Sequence, residues 1–142
     1  MINLLTGIES SASALDAERM RMDIISENIA NVNTTKGEDG KPYQRQEVVF
    51  ENVLQSQQAS DGATPQMIRV ARVQKDSHPP RLVYNPDHPD ADGNGMVAMP
   101  DINMHREMVD MIASSRSYEA NLAVVKNART IAMQALSIAK HS

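Results

Sequence analysis

The sequence predicts a mainly α-helical protein with a small β insertion, in which long helices at the two chain ends pair in the manner of a coiled coil. Apolar residues recur at helical spacing over residues 1–32 and 101–142, and neither segment contains proline. All seven prolines and five of the six glycines lie between them, among short runs of β-prone residues. We therefore divide the chain into an N-terminal helix (1–32), a β-hairpin-rich middle segment (33–100) and a C-terminal helix (101–142).

The N-terminal helix is predicted by a seven-residue repeat of apolar side chains. The repeat comprises Met1, Ile8, Leu15, Met22 and Ile29, with Ile25 and Val32 beside it. The opposite face is acidic, with Glu9, Asp16, Glu18, Asp23 and Glu27 against Arg19 and Arg21. A helix of roughly 28 residues would be about 42 Å long.

The C-terminal helix is predicted by an apolar seam that advances in steps of three and four residues. The seam runs through Met104, Met108, Met111, Tyr118, Leu122, Val125, Ala132, Leu136 and Ala139. Pro100 ends the preceding chain, and Asp101 is the candidate N-cap. A helix of roughly 38 residues, about 57 Å, needs a long partner. We expect the seam to pack on the first helix and on neighbouring copies of the chain.

The middle segment contains three short β-prone runs, at residues 47–50, 68–73 and 82–84. They predict a small hairpin insertion. Residues 55–65 are rich in Gln, Ser, Ala, Asp and Gly, which favours a mobile loop over a regular element.

Composition argues against several classes of function. The net charge is −4 and the two signs are interspersed, so we expect neither nucleic-acid binding nor attraction to anionic membranes. No apolar run is long enough to span a bilayer, and the first residues lack the features of a cleavable secretory signal. The chain has no cysteine, which excludes disulfides and thiolate chemistry.

Catalytic and cofactor motifs are also missing from the sequence. No strand-Gly-x-Ser-x-Gly elbow could hold a serine nucleophile. None of His78, His88, His105 and His141 has the i, i+4 partner that a zinc site on a helix uses. We expect exposed histidines, no enzymatic activity and no cofactor.

One alternative is a calcium-binding module at residues 90–101. Asp90, Asp92 and Asn94 match the first half of a calcium loop, and Asp101 stands at its twelfth position. Against this, the segment before the loop contains two prolines and cannot be the entering helix. The competing interpretation is a polar turn whose Asp and Asn side chains bond their own backbone.

A second alternative is a cytosolic helical adaptor. The methionine-rich seam of the C-terminal helix could form an adaptable groove for client peptides, because thioether side chains are flexible. Core packing is the plainer use of the same residues.

Two asparagines near the end of the first helix admit two interpretations. Asn28 and Asn31 lie three residues apart and flank Ile25 and Ile29. They could end the helix, or their amides could hold the register of packed subunits, because a mispaired neighbour would leave them buried without partners. The residues themselves leave both interpretations open.

The same region carries a resemblance to a known family. The run SENIANVNT at 26–34 resembles the N-terminal signature of flagellar axial proteins, which form the rod, the hook and the hook-filament junction. Residues 107–112 and 115–121 are similar to the C-terminal signature of that family. Residues 33–51 and 82–89 are similar to the segments typical of its proximal rod branch.

The resemblance implies a structural subunit of the proximal rod that transmits torque in the bacterial flagellar basal body. Its partners would be copies of itself and related rod proteins. It would pass through the flagellar type III export apparatus and assemble in the periplasmic space without inserting into the membrane. The expected assembly interface comprises Ile8, Leu15, Met22, Ile25, Asn28, Ile29, Asn31, Asn33, Met104, Met108, Met111, Tyr118, Asn121, Leu122, Val125 and Leu136.

Overall fold

The computed structural model describes residues 2–54 and 66–140, with side chains described over 7–51 and 69–138. Two long helices enclose four strands in chain order. The elements are α1 (Ile2–Ala30), β1 (Gln46–Leu54), β2 (Gln66–Lys75), β3 (Arg81–Tyr84), β4 (Met96–Met99) and α2 (Met104–Lys140). The prediction of a mainly helical chain with small antiparallel sheets is confirmed. The loop predicted over 55–65 lies outside the described residues.

Asparagine side chains cap the C-terminal end of α1 and the N-terminal end of α2. At the end of α1, Asn31 Nδ2 donates to the Glu27 carbonyl at 2.9 Å, and Asn31 Oδ1 accepts from the Thr34 hydroxyl at 3.1 Å. At the start of α2, Asn103 Oδ1 accepts from the Arg106 amide at 3.2 Å. The expectation that Asp101 is the N-cap was therefore wrong, because the helix begins two residues later than that choice requires.

The four strands form two separate antiparallel pairs. β1 pairs with β2, and the register shifts between Val49 and Phe50, which leaves one residue of β2 unpaired in a β-bulge. β3 pairs with β4, from Arg81 opposite Met99 to Tyr84 opposite Met96. We did not predict β4, because its four residues follow directly on the Asp- and Gly-rich run that suggested a turn.

The turn between β3 and β4 depends on a glycine. Gly95 has a φ of +74°, and a Cβ at that position would lie 3.0 Å from the Tyr84 ring. A larger residue would be strained by the backbone angle and crowded by the ring.

The two long helices pack against each other in antiparallel directions. Asn28, near the end of α1, contacts Glu107, near the start of α2. Ala14, earlier in α1, lines the same cavity as Asn121, later in α2. No helix in the part of the chain described here is long and apolar enough to cross a membrane.

Candidate functional site at the contact between the terminal helices

A buried asparagine joins three parts of the fold where the two helices meet. The Asn28 side chain is 1% exposed, and all four hydrogen-bonding positions of its amide are occupied. Its Nδ2 donates to the Gln46 carbonyl at 2.9 Å and to Glu107 Oε2 at 3.0 Å. Its Oδ1 accepts from the Gln46 amide at 2.9 Å and from the Tyr43 hydroxyl at 3.1 Å. One side chain thus ties α1 to α2 and to the start of β1.

A buried ion pair completes this cluster. Glu107 is fully buried, and its Oε1 accepts from Arg45 Nε at 2.7 Å. Burial lowers the pKa of Arg45, but the hydrogen bond and negative charge of Glu107 outweigh it, so the pKa is raised overall. Burial also raises the pKa of the Tyr43 hydroxyl. We call Asn28, Tyr43, Arg45, Gln46 and Glu107 the clasp.

The chemistry of the clasp suits holding a geometry rather than carrying out a reaction. The carboxylate of Glu107 is occupied on both oxygens, by Arg45 and by Asn28. The Asn28 amide likewise has no bond left for a neighbouring subunit. Asn28 therefore neither ends α1 nor has an amide group free to bond a neighbouring subunit. Asn31, by contrast, does end the helix, as the hydrogen bond from its side chain to the Glu27 carbonyl shows.

Beyond the clasp, the two helices touch through small side chains. Ala17, Ser114 and Ala128 are among the most buried residues of the chain. Ser10, Ala14 and Ala17 share a cavity with Ser117 and Asn121 across the contact. Small residues let two helix backbones approach closely, which is why these positions lie at the centre of the contact.

Burial in α2 follows a different line from the predicted seam. Glu107, Ser114 and Ala128, separated by multiples of seven residues, are buried, whereas Met104, Met108 and Leu136 are 42%, 50% and 64% exposed. The face of α2 that contacts α1 carries the small residues, so part of the bulky apolar seam remains exposed to solvent on the subunit.

The predicted interface residues divide into three groups by exposure. Ile25 and Asn28 are buried; Ile8, Leu15, Met22, Ile29, Asn31, Met111, Tyr118, Asn121, Leu122 and Val125 are half-buried; Asn33, Met104, Met108 and Leu136 are exposed. Most of the set is therefore only partly covered by the subunit itself.

The loop considered for calcium binding has the geometry of a polar turn. The Asp90 carboxylate accepts a 2.7 Å hydrogen bond from the Thr35 hydroxyl and pairs with Lys36. The hydrogen bond from Lys36, followed by that from Thr35, lowers the pKa of Asp90. Asp92 Oδ1 accepts from the backbone amides of Asn94 and Met96 at 2.8 and 2.9 Å. These carboxylates serve the local fold, and one of them fastens the turn to residues 35–36.

The histidines lie apart from one another. His78 contacts Asp76 and His88 accepts from the Asp90 amide, while the His105 side chain is exposed. His141 lies outside the described residues. No group of three metal-ligating side chains occurs among the residues that the structure describes.

Four members of the clasp were not predicted from the sequence as site residues: Tyr43, Arg45, Gln46 and Glu107. Of these residues, only Glu107 could have been identified from the sequence. Its carboxylate lies among the apolar residues at the start of the predicted seam and would need a buried partner there. Tyr43 and Arg45 lie on an irregular segment without periodicity, so no sequence pattern predicted that they contact α1.

Comparisons with known proteins place both ends of the chain among flagellar proteins. Residues 8–37 match the family described as flagella basal body rod protein, and residues 94–138 match the flagellar basal body rod FlgEFG protein C-terminal family. The flagellar basal-body rod protein FlgC of Borreliella burgdorferi is 38% identical, over 96% of this chain and 98% of its own length. The FlgC protein of Bacillus subtilis is also 38% identical, over 92% and 94%. That of Salmonella typhimurium is 36% identical, over 95% and 97%.

Proposed function

The chain belongs to the flagellar basal-body rod protein FlgC family, and from this premise we propose how it is built into the rod. It is a structural, non-enzymatic subunit of the flagellar basal-body rod, where it assembles with other rod proteins.

We propose that the two terminal helices form the wall of the rod through the apolar residues that the subunit leaves partly uncovered. The interface comprises the sixteen residues predicted from the sequence, from Ile8 to Leu136. Within it, Asn28 acts from inside the subunit, by holding the angle between α1 and α2. The exposed Met104, Met108 and Leu136 would make direct contacts with neighbouring subunits.

The small-residue contact between α1 and α2 carries this proposal. A self-sufficient helix pair would bury its bulkiest side chains between the helices, since apolar burial contributes about 25 cal/mol per Å². Here Ala17, Ser114 and Ala128 take the central places, while Met108 and Leu136 face outward. Exposed apolar residues that follow a helix face are typical of a protein surface that is covered in an assembly.

We also propose a division of labour along the chain. Residues 1–32 and 101–142 would act as a coiled-coil-like pair in the rod wall, and the hairpin-rich residues 33–100 as an outer segment fixed to that pair by the clasp. Because the clasp bonds join both helices and β1, torque applied to one part would be transmitted to the others.

The route that we propose is passage through the flagellar type III export apparatus, followed by assembly where the rod crosses the periplasmic space. The chain contains no cysteine and only four aromatic residues, three Tyr and one Phe, which suits extended threading followed by folding. We propose neither nucleic acid nor the membrane as a partner, in keeping with the interspersed charges of the chain.

The experiment that tests the interface is the double substitution Met108→Asp and Leu136→Asp. Both side chains are exposed in the subunit, so helix content measured by circular dichroism should be unchanged. Incorporation into purified basal bodies should fall sharply, because a buried unpaired charge costs several kcal/mol. His105→Asp, on an exposed position of the same helix, is the matched control and should incorporate normally. Normal rods from the double variant would refute the proposed interface.

A further inference from the structure

The last turns of α2 carry an exposed face that is both apolar and basic. Its apolar members are Met133 and Leu136, which are 61% and 64% exposed and continue the three- and four-residue spacing of Lys126 and Arg129. Lys126 and Arg129 are exposed among them, and no acidic residue occurs after Glu119. We call these four residues the basic end of α2.

The basic end of α2 continues the line on which α1 packs. Leu136 lies four residues after the half-buried Ala132, which is the spacing of one helical face. The hydrogen bond between Asn28 and Glu107 sets the alignment of the two antiparallel helices. Counting twenty-six residues away from this bond leads back to Ile2 in α1 and forward to Met133 in α2. Leu136 therefore lies on the contact line of α2, yet it is 64% exposed within the subunit.

The exposed face of α1 has the opposite charge. Glu9, Asp16 and Asp23 are seven residues apart and exposed, as is Glu27, and Arg19 is the single exposed base over residues 7–30. Ala12 and Met20 lie between these acids on the same face. None of these charged residues, nor Lys126 or Arg129, makes an ion pair within the described part of the subunit.

We propose that the basic end of α2 docks on the acidic face of α1 of a second copy of this chain. Lys126 and Arg129 would pair with acids such as Asp16 and Asp23, and Met133 and Leu136 would lie against Ala12 and Met20. This inference rests on the proposed function and adds to it which surfaces meet.

The two surfaces differ, so the contact is heterologous. Each copy then offers one surface to the copy before it and the other to the copy after it, and such contacts build rings or open helices rather than closed dimers. A tubular rod needs an arrangement of this kind. The uncovered Leu136 favours a helix as the occupant, because another helix would continue the contact that α1 makes with α2.

Paired cysteines test the contact directly, because the chain has no cysteine of its own. Purified basal bodies carrying Asp16→Cys together with Arg129→Cys should yield, after mild oxidation, a ladder of covalent oligomers of this chain. Each single cysteine variant is a matched control and should give no ladder. Absence of any cross-link, a dimer without higher oligomers, or a cross-link to a different rod protein would overturn the inference.

Charge reversal supplies a second measurement. Asp16→Lys with Asp23→Lys, and separately Lys126→Glu with Arg129→Glu, should each reduce incorporation into rods about tenfold, the effect of losing two or more ion pairs. The chain with all four changes should recover to within about twofold of the wild type, since the attraction is restored with its sign inverted. Normal incorporation of the reversed variants, or no recovery in the combination, would contradict the proposed pairing.

The two proposals fail in different ways. If the cross-link and reversal results are negative while Met108→Asp with Leu136→Asp still blocks assembly, the terminal-helix interface stands and only the pairing of these faces is wrong. If the latter variant assembles normally, the proposed interface itself is wrong.

Discussion

The two ends of the helix pair are held together by different kinds of contact. At one end, the clasp buries Asn28 and Glu107 and satisfies them with hydrogen bonds from both helices and from the segment before β1. Toward the other end, the helices touch through small residues, and two buried polar atoms at described positions, Glu18 Oε2 and Ser114 Oγ, have no hydrogen-bond partner. Large apolar side chains there face outward.

The difference indicates which geometry the subunit determines alone and which it leaves to its neighbours. A fully bonded polar cluster tolerates little change of register, because each slip leaves buried groups unsatisfied. A contact between small residues has little such penalty, so the far ends of the helices can adjust to the surrounding rod. The clasp should therefore contribute more to the stability of the isolated subunit than any residue near the far end.

The largest effect on stability should come from Glu107→Ala. The substitution removes one member of a buried ion pair and leaves Arg45 Nε and one Asn28 donor without partners, which costs about 3–5 kcal/mol. Urea denaturation of the purified subunit measures this loss. Glu107→Gln retains an acceptor and should cost less. If Glu107→Ala cost no more than a typical surface change, the clasp would not hold the fold.

Asn28→Ala should have the next largest effect. It removes four hydrogen bonds and leaves buried groups on Tyr43, Gln46 and Glu107 unsatisfied, at about 1–3 kcal/mol for each group that water cannot reach. Asn31→Ala is the matched control, since its amide bonds only locally at the end of α1 and should cost about 1 kcal/mol or less. Equal losses from the two variants would contradict the distinction between the asparagines.

A smaller effect is expected at the small-residue contact. Ala17 is 4% exposed, and Ala17→Leu should force the helices apart at a cost of about 1–3 kcal/mol. Ala12→Leu, at an exposed position of the same helix, should change the free energy of unfolding by less than about 0.5 kcal/mol. An unchanged free energy of unfolding for Ala17→Leu would show that the cavity beside Ala17 accepts the larger side chain without separating the helices.

The sequence predicted the elements of the fold better than the contacts between them. Both long helices follow from periodic apolar residues and from the confinement of proline to the middle of the chain. The contact line in α2 did not follow, because an apolar seam identifies a face that avoids water and does not say whether the covering surface is in the same subunit. Met108 and Leu136 are the clearest examples, since both belong to the seam and both are exposed.

The clasp could not be predicted for a related reason. The hydrogen bonds of Asn28 and Glu107 join residues 15 to 79 positions apart along the chain, and the partners on residues 43–46 lie on a segment without regular structure over most of its length. β4 was missed because its four residues directly follow the Asp- and Gly-rich run that suggested a turn. Local patterns determine local structure, whereas these features depend on the tertiary arrangement.

The smallest effect that separates the two ends is the response of the clasp to alkaline pH. Burial raises the pKa of Tyr43 above its ordinary value, so the folded subunit favours the neutral hydroxyl that donates to Asn28. The corresponding stability is present below the unfolded pKa of about 10 and is lost as the pH rises through the folded pKa. Denaturation curves recorded between pH 8 and about 11 should therefore show a decline in the free energy of unfolding.

Two phenylalanine variants assign that decline to the clasp. Tyr43→Phe should lose about 1 kcal/mol at neutral pH, where its hydrogen bond is missing, and should show a shallower alkaline decline because the titrating group is gone. Tyr84→Phe changes a side chain that is 70% exposed and should behave like the wild type at every pH. If Tyr43→Phe kept the full alkaline decline, the Tyr43 hydroxyl would not be the group whose ionisation opens the clasp, and the rigidity of that end would rest on Asn28 and Glu107 alone.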